Sequence, residues 1–244
     1  MAVTKRAGTN KSPKRGSGAV ASTGARSTSS SSGHRPVSST HRAAFSVPGL
    51  KVADGEKMSA LLQKRLVGLI DLGLTLKHIH WNVVGPSFIG VHEMLDPQYA
   101  GVQKMVDVTA ERIATLGGVP SGLPGHLVET RDWDDYELGR ADTQAHLAAL
   151  DLVYTGVIED HREAIDTAGD VDPVTEDMLI GQTGILEQYH WFVRTHLEDF
   201  AGGLLNAGAD TELAAAEAAL RRSGRRGAST AESTRRARGT RRAS

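Results

Sequence analysis

Leu62, Leu66, Leu69, Gly73 and Leu76 recur at steps of four, three, four and three residues. That spacing returns to one side of a helix with 3.6 residues per turn, so the stretch from Asp54 to Val83 is predicted helical with one buried face. No proline interrupts it, and the turn VGPS ends it. Three further stretches of similar length are expected to be helical. The second runs from Ser87 or Phe88 to Leu116 and is stopped by GGVPSGLPG. Pro97 lies inside it and should kink it or loosen one backbone bond. The third spans Asp142 to Ala168, and the fourth runs from Pro173, a good first-turn residue, to about Phe200. A short helix at DWDDYEL and an Ala-rich one over 210–221 are also expected. Four such helices with a long second connection predict an all-α four-helix bundle with a crossover. No strand alternation, Gly-rich phosphate loop or nucleophile elbow stands out.

Charge divides the chain into three parts. Residues 1–47 hold eight basic residues and no acid, and from Arg221 onward there are nine arginines against Glu232 alone. Each end is therefore net +8, while the middle carries −17 out of a whole-chain balance of −1. Both ends are rich in Ser, Thr, Gly and Ala and have little to bury, which predicts disorder. The expected organisation is a tail over 1–47, a bundle over 48–205, and a short helix plus a second tail over 206–244. There are no cysteines, which excludes disulfides, iron–sulfur clusters and thiolate chemistry. No apolar run reaches membrane-span length. The start lacks the apolar core of a secretory signal. Its Arg- and Ser-rich, acid-free composition resembles a transit peptide, against which the matching basic C-terminus argues.

The stretch HWNVVGPSFIGVHEMLD, followed by DVTAE, holds the chemistry. On a helical wheel with Val91 at zero, Leu95, Val102, Val106 and Ile113 fall at roughly 40°, 20°, 60° and 40°. His92, Asp96, Asp107 and Glu111 fall at roughly 100°, 140°, 160° and 200°, a separate stripe on the flank of the core face. His92 with Asp96, and Asp107 with Glu111, are each one turn apart and can share an ion. The two pairs stand about 16 Å apart along one straight helix, too far for a common ion. An antiparallel second copy across a two-fold axis would bring the first pair of one chain against the second pair of the other. His80 could complete one side. Two imidazoles and three carboxylates without sulfur suit iron or manganese, and zinc less well. Solvated surface polarity is the competing account of the same residues.

LTLKHIHWNVVGPSFIGVHEMLD, then DVTAERIATLGG, resembles the Dps family, the DNA-binding proteins from starved cells or mini-ferritins. The resemblance covers roughly residues 50 to 200, including TEDMLIGQTGILEQYHWFVRTHLE. It implies a ferritin-like bundle, a twelve-subunit shell, and a two-iron ferroxidase site at the dimer two-fold axis. His80, His92 and Asp96 would come from one subunit and Asp107 and Glu111 from its neighbour. It further implies Fe(II) oxidation with hydrogen peroxide, storage of ferric mineral, and a cytoplasmic, nucleoid-associated place. Trp81 would intercept radicals beside the site; a core or interface aromatic is the alternative.

The resemblance also implies an acidic iron-entry pore near the start of the fourth helix, expected at Asp172 and Asp177. Favourable placement of acids at a helix N-terminus explains the same residues. The tails are expected to bind DNA without sequence preference. The basic residues concerned are Lys5, Arg6, Lys11, Lys14 and Arg15 at one end. At the other they are Arg221, Arg222, Arg225, Arg226, Arg235, Arg236, Arg238, Arg241 and Arg242. A purely solubilising tail is the alternative. Two other functions compete: a DNA-compacting shell with an idle metal site, and a ferritin with a di-iron centre inside each bundle. The second needs two Glu-x-x-His pairs, and only Glu187–His190 is present, which is expected to make structural hydrogen bonds.

Overall fold

The computed structural model describes residues 44–199 and 201–224. The expected disorder of 1–43 and 225–244, the basic residues assigned to DNA there, and Phe200 at the expected end of the fourth helix lie outside the described residues. Helix α1 (Val52–Asn82) leads through the two-residue strand β1 (Val83–Val84) to α2 (Phe88–Thr115). A short α3 (Pro124–Thr130) follows, then strand β2 (Ala141–Asp142), α4 (Thr143–Gly169) and α5 (Pro173–Leu197). A last helix, α6, occupies 212–224.

The long helices pair as α1 with α2 and α4 with α5, and α1 also meets α4. The predicted stripe is the buried face of α1: Leu62, Leu66, Leu69 and Leu76 are all at most 1% exposed. On α2 the wheel is matched by Val91, Leu95, Val102 and Ile113, which are buried, with Val106 half-buried against them. Pro97 does not break α2, which is continuous through it. Lacking an N–H, it leaves one carbonyl of the preceding turn unpaired along the helix, and its ring is exposed.

The turn between α1 and α2 requires Gly85. Its φ is +112°, and a Cβ there would lie 2.6 Å from Asp142 Oδ2. Asp142 is the N-cap of α4, accepting from Gln144 N at 2.9 Å. Beside this contact, β1 and β2 pair in parallel, Val83 with Ala141 and Val84 with Asp142. The crossover between the helix pairs is thereby pinned to the α1–α2 turn. These strands are too short for alternation to show.

Two expectations need correcting. DWDDYEL is not helical; the short helix is the preceding stretch, Pro124–Thr130, which has proline in its first turn. Trp133 instead donates Nε1–H to Asp71 at 2.9 Å, and Arg131 pairs with Asp71 and Asp135. These tertiary bonds hold the segment extended across α1. The Ala-rich helix does form, and it belongs to the core. Ala215 and Ala219 are fully buried in the main cluster, and Ala216 packs near Ala145 and Ala149 of α4.

Candidate metal centre

His80 ends α1 and His92 lies in the second turn of α2, so the Gly85 turn folds them together. Their rings stack with centroids 3.6 Å apart, and Phe88 lies 4.9 Å from His92. Each ring is fixed by the other residue's backbone. His80 Nδ1–H donates to His92 O at 3.0 Å, and His92 Nδ1–H donates to His80 O at 2.9 Å. A carbonyl can only accept, so both Nδ1 atoms carry the proton in the neutral rings. Both Nε2 atoms therefore hold lone pairs, the arrangement in which metal-ligating histidines are held by a partner behind the ring.

Asp96 follows one turn after His92. Its Oδ1 lies 3.4 Å from His80 Nδ1 and 2.7 Å from Lys77 Nζ, and its side chain is 54% exposed. The hydrogen bond from the Lys77 ammonium holds the Asp96 carboxyl below the usual carboxylate range. Asp107 and Glu111 are exposed on the same helix. The structure thus joins His80, His92 and Asp96, and leaves Asp107 and Glu111 further along α2. Among the described residues, no group of three or more potential ligands is arranged to hold an ion within this one chain. Trp81 is 73% exposed next to His80, so it is not a core residue of the single chain. Two imidazole lone pairs with a neighbouring carboxylate suit a borderline metal such as iron.

Lys77 and Phe88 are the site neighbours that sequence reasoning missed. Lys77 sits one turn before His80, a helical spacing that could have singled it out. The exchange of Nδ1–carbonyl bonds has no sequence signal, because it depends on how the turn closes.

The other candidate residues separate clearly. Asp172 is buried as the N-cap of α5, accepting from Val174 N, Thr175 Oγ1 and Arg112, whose guanidinium lies 2.6 Å away. Asp177 is exposed. Glu187 pairs with Arg162, while His190 Nε2–H donates to Asp151 Oδ1 at 2.6 Å. Those two residues make the structural contacts expected of them. Arg222 donates to the carbonyls of Leu204 and Leu205 at 2.6 and 3.0 Å, and Arg221 lies 3.6 Å from Glu217.

The ferritin-like domain model matches residues 59–202. The chain is 54% identical over 179 residues to the DNA protection during starvation protein of Mycolicibacterium smegmatis, covering 73% of this chain and 98% of that one. The chain belongs to the Dps family. Among solved structures, Mycobacterium smegmatis Dps aligns with a TM-score of 0.68, covering 68% of this chain and 95% of that one. The chain is also similar to the fine tangled pili major subunit of Haemophilus ducreyi. It is 52% identical over 158 residues, covering 65% of this chain and 84% of that one. The His80–His92 turn and all of α2 lie inside the span shared with the ferritin-like domain. Among the described residues of this Dps-family chain, no helix is long and apolar enough to cross a membrane.

Proposed function

We propose that this Dps-family chain is a ferroxidase that assembles into a dodecameric shell, stores the ferric product inside it, and coats DNA through its basic tails. Fe(II) is the substrate. Each of two ferrous ions gives one electron to hydrogen peroxide, and with two protons this yields two Fe(III) and two waters. Consuming both oxidising equivalents at one site releases no hydroxyl radical near DNA.

The observation that carries the reading is the reciprocal Nδ1–carbonyl pairing of His80 and His92, which leaves both Nε2 lone pairs ready for a metal. On this reading the donors of one chain, His80, His92 and Asp96, do not make a site by themselves, and Asp107 and Glu111 of the partner subunit would complete it. The exposed apolar side chains Leu74, Trp81, Ile89 and Val108 on α1 and α2 favour burial against a second copy. Carboxylates stabilise Fe(III) over Fe(II) and so favour the reaction. The imidazoles bias the site away from Mg²⁺ and Ca²⁺. Trp81 is assigned to intercepting stray radicals, and its exposure equally suits an interface aromatic. For iron entry at the start of α5, Asp177 is the free carboxylate, since Asp172 is engaged by Arg112 and Thr175.

Peroxide-dependent Fe(II) oxidation by the purified protein should be lost in His80→Ala and in Asp107→Ala. Activity surviving both changes would mean that the site is misassigned. Wild-type protein that retards DNA but oxidises no iron would instead establish the alternative, a DNA-compacting shell with an idle site.

A further inference from the structure

On the buried face of α2, Val91, Leu95, Val102, Met105 and Ile113 are apolar, and Gln98 and Thr109 are polar. Each polar residue follows an aspartate of the candidate site by two positions, Gln98 after Asp96 and Thr109 after Asp107. Gln98 and Thr109 are about three helical turns apart, so both lie on one side of α2. With Val91 at zero they fall at roughly 340° and 0°, behind a ligand stripe at roughly 100° to 200°.

Both are tied to the other helix pair. Tyr154 of α4 is fully buried and donates its O–H to Gln98 Oε1 at 2.7 Å. Gln182 of α5 donates Nε2–H to Thr109 Oγ1 at 3.0 Å and reaches Met105 O at 3.5 Å. The Gln182 side chain is also the hydrogen-bond partner of His161 on α4. α2 itself packs chiefly against α1. Its buried links to α4 and α5 are thus polar ones, and one stands behind each ligand pair.

Apolar packing is non-directional and tolerates a small turn of a helix about its own axis. Hydrogen bonds prefer a near-linear geometry, so the same turn would strain both ties at once. The consequence for a metal is large. A ligand atom roughly 6 Å from the helix axis moves about 1 Å for about 10° of rotation. Metal–ligand distances tolerate only about 0.2 Å.

We infer that Gln98–Tyr154 and Thr109–Gln182 are positioning pairs for the metal site. They fix the rotation of α2, and with it the aim of His92 and Asp96 on one turn and of Asp107 and Glu111 on another. They act through the helix and not by touching the ion. The inference rests on the site proposed above.

The experiment titrates Co²⁺ into the full-length protein by calorimetry and records the visible absorption of the bound ion. Thr109→Val and Tyr154→Phe each remove one hydrogen bond at nearly constant volume. Both should bind Co²⁺ about ten-fold or more weakly, with altered absorption. Thr109→Ser keeps the hydroxyl and should bind like wild type. Ile113→Val thins the same buried face without touching a hydrogen bond. It should lower thermal stability and leave Co²⁺ affinity as it is. Wild-type affinity in both Thr109→Val and Tyr154→Phe, or an equal loss in Ile113→Val, overturns the inference. His80→Ala and Asp107→Ala report on the site itself. If Co²⁺ binding survives both, the site reading fails and the inference falls with it. If both abolish binding while the two isosteric variants match wild type, the positioning inference alone fails.

Discussion

Asp151 stands on α4 with three donors around it: His190 Nε2 at 2.6 Å, Arg194 Nε at 2.9 Å and Asn206 Nδ2 at 2.8 Å. Burial pushes its carboxyl up, but these hydrogen bonds outweigh burial and bring it down to about 2. The folded state therefore favours the ionised form. Its stabilisation is fully present above the ordinary aspartate range and is lost as pH falls from about 4 toward 2. Asp151→Asn should cost roughly 2 kcal/mol at pH 7. The gap from wild type in urea denaturation midpoint should close as pH is lowered through that window. A gap independent of pH would mean that the charge of Asp151 is not what holds α4, α5 and the Asn206 segment together. Sequence alone shows an Asp, a His and an Arg on two helices. Asn206 joins them only because the chain after α5 turns back onto α4, which no helical pattern reports.

Among the elements, the long helices were legible because each has one periodic apolar face that only burial explains. Leu62 to Leu76 on α1 and Val91 to Ile113 on α2 are buried as their spacing requires. DWDDYEL was expected to be helical and is not. Trp133 is instead held by its bond to Asp71, a contact made across the fold. The Gly85 turn was legible as a helix stop, but not as the device that aligns two histidines and accommodates the cap of α4. Gly85→Ala should lower stability by ~1–2 kcal/mol, from a positive φ and a Cβ close to Asp142. Asp142→Ala removes a helix cap worth ~1 kcal/mol. If Gly85 acts partly by displacing Asp142, the double change should cost less than the sum in thermal melts. Full additivity would separate the turn from the cap.

At the scale of the whole molecule, charge is the organising property: two net +8 ends flank a −17 middle. The proposed binding to DNA through those ends would be polyelectrolyte in character, each neutralised phosphate adding about 0.9 to the slope of log affinity against log salt. Gel retardation should therefore fall steeply over a salt series, should not depend on DNA sequence, and should vanish when both tails are deleted. Retardation by the tailless body would put the DNA surface on the bundle. Four of the five metal-ligand candidates were legible as two helical pairs too far apart for one ion, with His80 at the end of α1 as the fifth. On the proposed reading one chain does not display the cage itself, because two of its five donors would come from another copy.

A crystal soaked in Fe(II), with iron located by its anomalous scattering, tests that claim most directly. Iron should lie between His80, His92 and Asp96 of one protomer and Asp107 and Glu111 of the partner subunit, with the Nε2 atoms facing the metal. An ion held wholly within one protomer, or those five side chains facing open solvent in the assembled particle, would contradict it.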